Sequence, residues 1–304
     1  MAQATKINQL KLAYAYCRHI AKTHYENFPV ASIFIPKKLR NAVVAIYAFA
    51  RLADDCADDP NLAPAEKLQI LNILERELLN IQEKTADSHN NQILNEYLLL
   101  ALTDTINSHT LPIQLLLDLL TAFKQDITKN SYADFDEVLT YCKYSANPIG
   151  RLLLHLAKQD TPENLTYSDH ICTSLQLINF MQDLSEDLTQ LNRCYIPKNE
   201  LNKYNISITE LKAKQSSTSI DALITYQLDR IYTIYNKGLA LGTQLHGLFG
   251  FEIRLIIAGA KQILIALYTR KKYYQRPTLT LSDKLQMFML ALFPNDGPIN
   301  DQSN

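Results

Sequence analysis

Glycine is scarce in this sequence, with only 7 residues in a chain of 304. Between the prolines, the chain is dominated by Leu, Ala, Ile, Gln, Lys and Glu. These residue types are compatible with helices, and few turn-forming residues remain for a succession of strands. The composition therefore predicts an all-α protein.

Long hydrophobic runs and an excess of one charge are also absent. No run of 18 or more uncharged apolar residues occurs, which argues against a membrane-spanning helix. The N-terminal segment 1–28 is too polar for a secretory signal. The formal net charge is -1, and no basic stripe with interleaved aromatics is present, so we expect no nucleic-acid partner.

Cysteine pairing is not indicated either. The sequence has five cysteines, an odd number, and no CxxC motif. We therefore expect reduced thiols, in the core or lining a site, and a cytoplasmic protein.

Apolar residues recur at helical spacing over most of the chain. The predicted helices span residues 6–23, 37–58, 65–84, 91–107, 112–128, 134–158, 165–188, 218–246, 250–272 and 281–293. The segment 134–158 is expected in two pieces joined at Asn147 and Pro148, because proline disfavours helix in the residue before it and has no N–H to donate. With no internal repeat and no linker, residues 1–293 are predicted to form one domain, followed by a polar tail at 294–304.

Two pairs of aspartates stand four residues apart, Asp54 with Asp58 and Asp183 with Asp187. Residues at this spacing lie on one face of an α-helix, about one turn apart. Mg²⁺ is often held by one or two carboxylates together with substrate phosphates. Two such pairs on helices that face each other across a cavity would form a site for a diphosphate. The alternative is that each pair lies on a solvated helix face.

The neighbours of the two pairs favour the metal site. Both pairs lie in otherwise apolar helices, and like charges at this spacing destabilise a helix by roughly 0.2–0.5 kcal/mol, so they need compensation. Arg51 precedes Asp54 by three residues. Gln176 and Asn179 precede Asp183 by seven and four residues, so these polar side chains stack on one face.

These segments resemble those of the squalene/phytoene synthase family, and the matching stretches run from residue 24 to about residue 284. The first aspartate-rich motif of the family is matched by AIYAFARLADDCAD at 45–58. The second is matched by QLINFMQDLSED at 176–187, followed by NRCYIP at 192–197. Tyr141 with Cys142, and then ANPIG at 146–150, match the helix that lies between the motifs.

Within the family, three stretches resemble the bacterial hopanoid-pathway hydroxysqualene synthases. They are HYENFPVAS at 24–32, YSANPIGRLLLHL at 144–156 and YYQRPTL at 273–279. Two positions depart from the family pattern, since Asn27 stands where many relatives have serine and Gln182 where many have arginine. Both positions are near the diphosphate in the family, so the departures leave open how the leaving group is held.

The resemblance implies an isoprenoid synthase helical bundle around a central cavity. It implies that the four aspartates bind two or three Mg²⁺ ions, which hold a prenyl diphosphate, and that Tyr141 belongs to the catalytic set. The residues it places at the substrate or along the cavity are His24, Asn27, Phe28, Tyr47, Arg51, Gln176, Asn179, Phe180 and Arg193. Structural explanations stay open, because Arg51 can serve as a salt-bridge partner of Asp54 and Tyr141 can simply pack.

For the hydroxysqualene branch, the implied reaction starts from presqualene diphosphate. Ionisation expels the diphosphate, the cation rearranges, and water captures it to give hydroxysqualene. Because water rather than hydride quenches the cation, no NADPH is expected. One alternative is head-to-head condensation of two prenyl diphosphates, such as farnesyl diphosphate, to squalene, dehydrosqualene or phytoene. A remote alternative is a non-catalytic assembly factor of the same fold, which is expected to lack one or both acidic motifs.

Basic residues at 37–40 and 268–276 raise the question of a membrane surface. A solvated face is the simpler explanation for the first stretch. A peripheral contact at the inner face of the membrane would suit a hydrophobic product that leaves into a bilayer. Other enzymes of isoprenoid biosynthesis are the remaining candidate partners.

Overall fold

A computed structural model describes residues 2–23, 34–83 and 95–292 of this protein, with side chains from residue 7 onward. In these ranges the chain forms helices and the turns between them, and the only bridge between extended segments joins Ser131 and Cys194. The all-α prediction is therefore confirmed. All five cysteines are free, as predicted. Among the described helices, none is long and apolar enough to cross a membrane.

The chain forms two compact units, one of Met1–Thr128 and Arg151–Asp160 and the other of Lys129–Gly150 and Thr161–Asn304. Each unit has its own helical packing, described in turn below. The single domain predicted for residues 1–293 stays a prediction.

The first unit is built around the helix that carries the first acidic motif. Its helices are α1 (Ala2–Thr23), α2 (Lys37–Asp58), α3 (Pro64–Glu83), α4 (Glu96–His109) and α5 (Ile113–Thr128). Helix α2 packs against α1, α3, α4 and α5. Its central position follows from its buried apolar side chains, which include Leu39, Val43, Ile46 and Phe49. The bounds predicted for this helix, 37–58, are confirmed.

The second unit is built around α8 (Pro162–Gln182). The other helices of the second part of the chain are α6 (Phe135–Ser145), α7 (Asn147–Ala157, which continues into the first unit), α9 (Leu184–Glu186), α10 (Lys198–Lys203), α11 (Ile208–Lys212), α12 (Thr218–Gly238), α13 (Leu241–Gln244), α14 (Gly247–Thr269) and α15 (Leu281–Leu292). Helix α8 packs against α6, α12 and α14. Successive residues of α8 are buried, such as Leu177 with Ile178 and Phe180 with Met181, so the helix is interior as predicted.

Two helices that were predicted to be continuous are interrupted in the structure. The helix predicted for 165–188 ends at Gln182, and the one predicted for 218–246 ends at Gly238. At Gly238 the backbone of α12 approaches α8 so closely that a Cβ atom would lie 2.7 Å from Ile171. The junction predicted at Asn147 is confirmed, because α6 ends at Ser145 and α7 begins at Asn147. Short helices α10 and α11 were not predicted from the sequence.

Candidate active site

The first acidic motif occupies the last two turns of α2. Asp54 and Asp58 follow each other by one turn, and Arg51 contacts Asp54 at 3.3 Å and Asp55 at 2.6 Å. Desolvation, and next the charge of Asp58, raise the pKa of Asp54 to about 7, although Arg51 opposes this shift. The motif is therefore short of positive charge, and a bound cation would relieve the repulsion between its carboxylates.

Arg51 forms the salt bridge with Asp54 that the sequence allowed as one explanation of its position. Partial burial alone would lower the pKa of its guanidinium, but the charges of Asp54 and Asp55 raise it. Its Nε is buried and has no hydrogen-bond partner in the described part of the chain. The guanidinium thus retains donor capacity beside the aspartates, and a role toward an anion is compatible with the salt bridge.

The second acidic motif lies where α8 ends. Asp183 has φ -97° and ψ 8°, outside the helical region, and Asp187 begins a π-helical turn, Asp187–Leu191. The predicted continuous helix through 188 is therefore wrong. The spacing of one turn nevertheless survives, because the N–H of Asp183 donates to Asn179 O and that of Asp187 to Asp183 O, both at 2.8 Å. The expectation that these two residues lie one turn apart is therefore confirmed, and the wider π turn begins only at Asp187.

The segment after α14 crosses the end of α8. Arg276 donates from Nε and Nη2 to the two carboxylate oxygens of Asp183, with 3.5 Å between Nη2 and Oδ2. Gln182 is buried, and its side-chain amide donates to the carbonyl oxygen of Pro277 at 3.2 Å. One proposed metal ligand is therefore held by an arginine that follows it by 93 residues.

Arg270, the residue directly after α14, also contacts the end of α8. Its Nη1 donates to the carbonyl oxygen of Met181 at 2.8 Å. Its Nε and Nη2 are buried and have no hydrogen-bond partner within the described ranges. Burial lowers the pKa of Arg270 to about 10, so the guanidinium is still charged at neutral pH.

Arg193 reaches the second motif through the chain reversal that follows the π turn. Asn192 has φ 54°, in the left-handed region, and the N–H of Arg193 then donates to Asp187 O at 2.8 Å. The next residue, Cys194, bonds to Asn130 O at 2.9 Å, which fixes the segment. Arg193 is buried, and its proposed contact with the diphosphate stays a prediction.

An aromatic cluster adjoins the second motif. Phe180 and Tyr195 stack with ring centroids 3.6 Å apart, and Tyr141 lies 5.9 Å from Phe180 and 5.5 Å from Tyr195. Tyr132, which the sequence did not single out, lies 5.5 Å from Tyr195 and 5.8 Å from Tyr141. All four rings are buried, and Phe180 precedes Asp183 by three residues on the chain, so the cluster belongs to the core near the end of α8.

The remaining predicted site residues fall into two groups. Tyr47, on α2, and Gln176 and Asn179, on α8, are partly exposed, one or two turns before the aspartate pair of their own helix. His24, Asn27 and Phe28 lie outside the described residues. The two aspartate pairs belong to different units, so their convergence on one cavity stays a prediction.

Two pockets within single units have no aspartate of the motifs in their linings. One, of about 520 Å³, lies in the first unit and includes Tyr14, Arg18 and Asp104. The other, of about 20 Å³, lies in the second unit beside Phe180 and Tyr195, and it has room for about one water molecule. The central cavity stays a prediction.

The donor chemistry of the two acidic motifs fits Mg²⁺. Each pair supplies two carboxylates, and desolvation, followed by the charge of Asp58, raises the pKa of Asp54 in the first pair. Between residues 2 and 292, leaving aside the undescribed segments, no set of three or more His, Cys, Asp or Glu side chains comes together as a metal site. Two carboxylates are the usual protein contribution to a magnesium ion that also binds phosphate oxygens and water.

Arg270 and Arg276 are the functional candidates that sequence reasoning missed. The segment YYQRPTL at 273–279 was noted only as a resemblance, and 268–276 only for its charge. Spacing along one helix predicts local neighbours, whereas these arginines reach Asp183 and Met181 from about 90 residues away. No local pattern carries that information.

Comparison with known proteins gives matches over most of the chain. The profile of a family described as squalene/phytoene synthase matches residues 11–283. A hydroxysqualene synthase of Sinorhizobium fredii is 36% identical over 256 residues, which is 84% of each chain, and one of Rhodopseudomonas palustris is 35% identical over 257 residues, also 84% of each. The crystal structure of a squalene synthase from Alicyclobacillus acidocaldarius has a TM-score of 0.77 and 29% identity, covering 88% of this chain and 97% of that one.

Proposed function

Because this chain belongs to the squalene/phytoene synthase family, we propose that it acts as a hydroxysqualene synthase, converting presqualene diphosphate and water into hydroxysqualene and diphosphate. The family predicted from the two acidic motifs is confirmed, and with it the isoprenoid synthase fold. Members of this family process prenyl diphosphates.

One observation carries the choice of reaction. The two relatives named above, at 36% and 35% identity over 84% of their own length, are both hydroxysqualene synthases. The same branch was predicted from three separate stretches of sequence, of which two, at 144–156 and 273–279, lie in the described residues.

We propose that Asp54, Asp58, Asp183 and Asp187 hold two or three Mg²⁺ ions with the substrate diphosphate. When bound, Mg²⁺ neutralises charge that develops on the leaving diphosphate. Arg51 and Arg193 lie beside the two motifs and supply further positive charge for the same group. His24 and Asn27 are proposed as additional diphosphate contacts.

The aromatic cluster suits the second half of the reaction. A carbocation needs protection from premature capture, and the faces of aromatic rings stabilise positive charge. The stacked rings of Phe180 and Tyr195, with Tyr141 beside them, are the side chains proposed to supply such faces. Phe28 and Tyr47 are proposed to line the same cavity. Water must then enter at one carbon, and Gln176 and Asn179 are the proposed polar groups that position it.

The test is to incubate the purified protein with Mg²⁺ and presqualene diphosphate, and separately with farnesyl diphosphate, and to identify the products by mass spectrometry. Both reactions omit NADPH. We expect hydroxysqualene from the first and no product from the second. Asp58→Asn and Asp187→Asn should lose the activity, whereas Asp55→Asn, which changes an exposed neighbour, should retain most of it.

A condensing synthase is the second candidate. The observation that favours it is the 29% identity and TM-score of 0.77 to a protein named squalene synthase. Presqualene diphosphate, squalene, dehydrosqualene or another condensed product formed from farnesyl diphosphate would establish this candidate and overturn the first.

We also propose that the protein works in the cytoplasm, in peripheral contact with the membrane through α15. Leu281, Leu285 and Met289 are 87%, 65% and 50% exposed, and Phe288 and Leu292 share their face of the helix. An exposed apolar stripe of this kind is typical of a helix that lies in the interfacial plane. Sedimentation with vesicles containing anionic lipid tests this contact. Leu285→Glu should reduce binding more than Leu248→Glu, a change at an exposed leucine of α14.

A further inference from the structure

Arg270 is a buried guanidinium that uses only part of its donor capacity. Its Nη1 bonds the carbonyl oxygens of Met181 at 2.8 Å and of Gln275 at 3.4 Å. Its Nε and Nη2 are shielded from solvent and lack a partner among the described residues. These two nitrogens form the edge of the guanidinium whose N–H bonds run parallel, which is the edge that binds carboxylate and phosphate oxygens bidentately.

Capping of the C-terminal end of α8 explains only the contacts that Arg270 makes through Nη1. A cation at the C-terminal end of a helix is favourable, and the bond to Met181 O serves that purpose. A lysine could make the same bond with the same charge. The parallel-donor edge has no structural use in the described chain, and a buried charged donor without an acceptor is costly, so the edge calls for a ligand.

The surroundings of Arg270 specify the ligand's chemistry. Asp183 lies two residues beyond Met181, and Arg276 pairs with Asp183 from the same segment that Arg270 begins. The buried amide of Gln182 bonds Pro277 O and so ties this segment to the end of α8. The end of a helix and two aspartates repel a bare anion, so an anion would bind here only together with divalent cations.

We propose that the Nε–Nη2 edge of Arg270 binds an oxygen pair of the substrate diphosphate, beside the metal-binding aspartate Asp183. In this assignment Gln182 is a positioning residue, because its contact with Pro277 fixes the segment that carries both arginines. The inference rests on the proposed function and specifies how that site holds its anion.

The test compares two matched substitutions by titration calorimetry with inorganic diphosphate at a fixed Mg²⁺ concentration. Arg270→Lys keeps the charge and the bond to Met181 but removes the parallel edge. Arg254→Lys is the control, because Arg254 is also half-buried on α14 and donates to the carbonyls of Ala291 and Gly242 at 2.9 and 3.1 Å. We expect the dissociation constant to rise at least tenfold in Arg270→Lys and to change less than twofold in Arg254→Lys. Omitting Mg²⁺ should abolish binding to the wild type.

The melting temperature of the ligand-free protein separates binding from capping. If Arg270 acts on the anion, Arg270→Lys should leave this temperature unchanged or raise it, and Arg270→Met, the second variant, should show the same loss of binding. A dissociation constant for Arg270→Lys within twofold of the wild-type value would overturn the inference, as would a wild type that does not bind diphosphate. Formation of hydroxysqualene is measured in a separate assay. If the wild type binds diphosphate, the Arg270 variants do not, and no hydroxysqualene forms, the proposed function is overturned and this inference stands.

Discussion

Replacement of Asp54 by asparagine should stabilise the metal-free protein while it removes a proposed metal ligand. The pKa of Asp54 is raised from 3.8 to about 7, chiefly by desolvation and then by the charge of Asp58. The folded protein therefore holds this proton up to about pH 7, whereas the unfolded chain releases it near pH 3.8. Because the folded state binds more protons in this window, its stability falls as the pH rises from about 4 to 7 and then levels off.

The size of the effect follows from the shift and from solvent screening. A difference of about three pKa units corresponds to at most about 4 kcal/mol. The side chain of Asp54 is 40% exposed, so we discount this limit to about 2 kcal/mol. Loss of the 3.3 Å contact with Arg51 costs up to about 1 kcal/mol, which leaves a net gain of about 1 kcal/mol at pH 8. With an unfolding entropy of about 2.1 cal/mol/K per residue, the melting temperature of a chain of 304 residues should rise by about 2 °C.

The assay is thermal unfolding of wild type, Asp54→Asn and Asp55→Asn in EDTA, from pH 5 to pH 8. Asp55 is the control, because its side chain is 47% exposed and bonded to Arg51 at 2.6 Å, so its replacement should give no gain. Mg²⁺ with diphosphate should then stabilise the wild type more than Asp54→Asn. An Asp54→Asn protein no more stable than wild type at pH 8, or a difference that does not grow with pH, would refute the reasoning.

Three further perturbations test other contacts. Arg276→Gln should tighten Mg²⁺ binding to the diphosphate-free protein severalfold, because the guanidinium and the ion compete for Asp183; equal affinities in calorimetry would contradict this. Tyr195→Leu removes the ring stacked on Phe180, so it should lower kcat and change KM little, whereas Tyr195→Phe should keep the wild-type kcat. A loss of kcat in both variants would count against a role of the ring face. Gly238→Ala should destabilise the fold by about 1–3 kcal/mol, since its Cβ would lie 2.7 Å from the side chain of Ile171 on α8. If the variant unfolds at the same urea concentration as the wild type, this close packing is ruled out.

Periodicity along the chain was sufficient to predict elements whose boundaries are local. Helix α2 begins at Lys37, directly after Pro36, and ends at Asp58, as the apolar spacing predicts. The division between α6 and α7 follows from Pro148 in the same way. The acidic spacing likewise placed Asp183 and Asp187 one turn apart, because that distance depends only on backbone hydrogen bonds over four residues.

Features set by tertiary contacts were beyond the same reasoning. The break after Gln182 occurs where the segment 270–277 crosses α8, and no residue in LQLINFMQD is a helix breaker. The pairing of Arg276 with Asp183 joins residues 93 positions apart. The stack of Phe180 on Tyr195 depends on the chain reversal at Asn192, which adopts a positive φ of 54°. These contacts are decided by packing, so one sequence does not predict them.

The most direct test of the account is the fate of the oxygen of water. The protein would be incubated with Mg²⁺ and presqualene diphosphate in H₂¹⁸O, and both products analysed by mass spectrometry. Cleavage of the carbon–oxygen bond followed by water capture predicts hydroxysqualene that carries one ¹⁸O and diphosphate that carries none. Label in the diphosphate with an unlabelled alcohol would indicate attack at phosphorus, and a hydrocarbon product without oxygen would indicate quenching by another route; either result would contradict the proposed reaction.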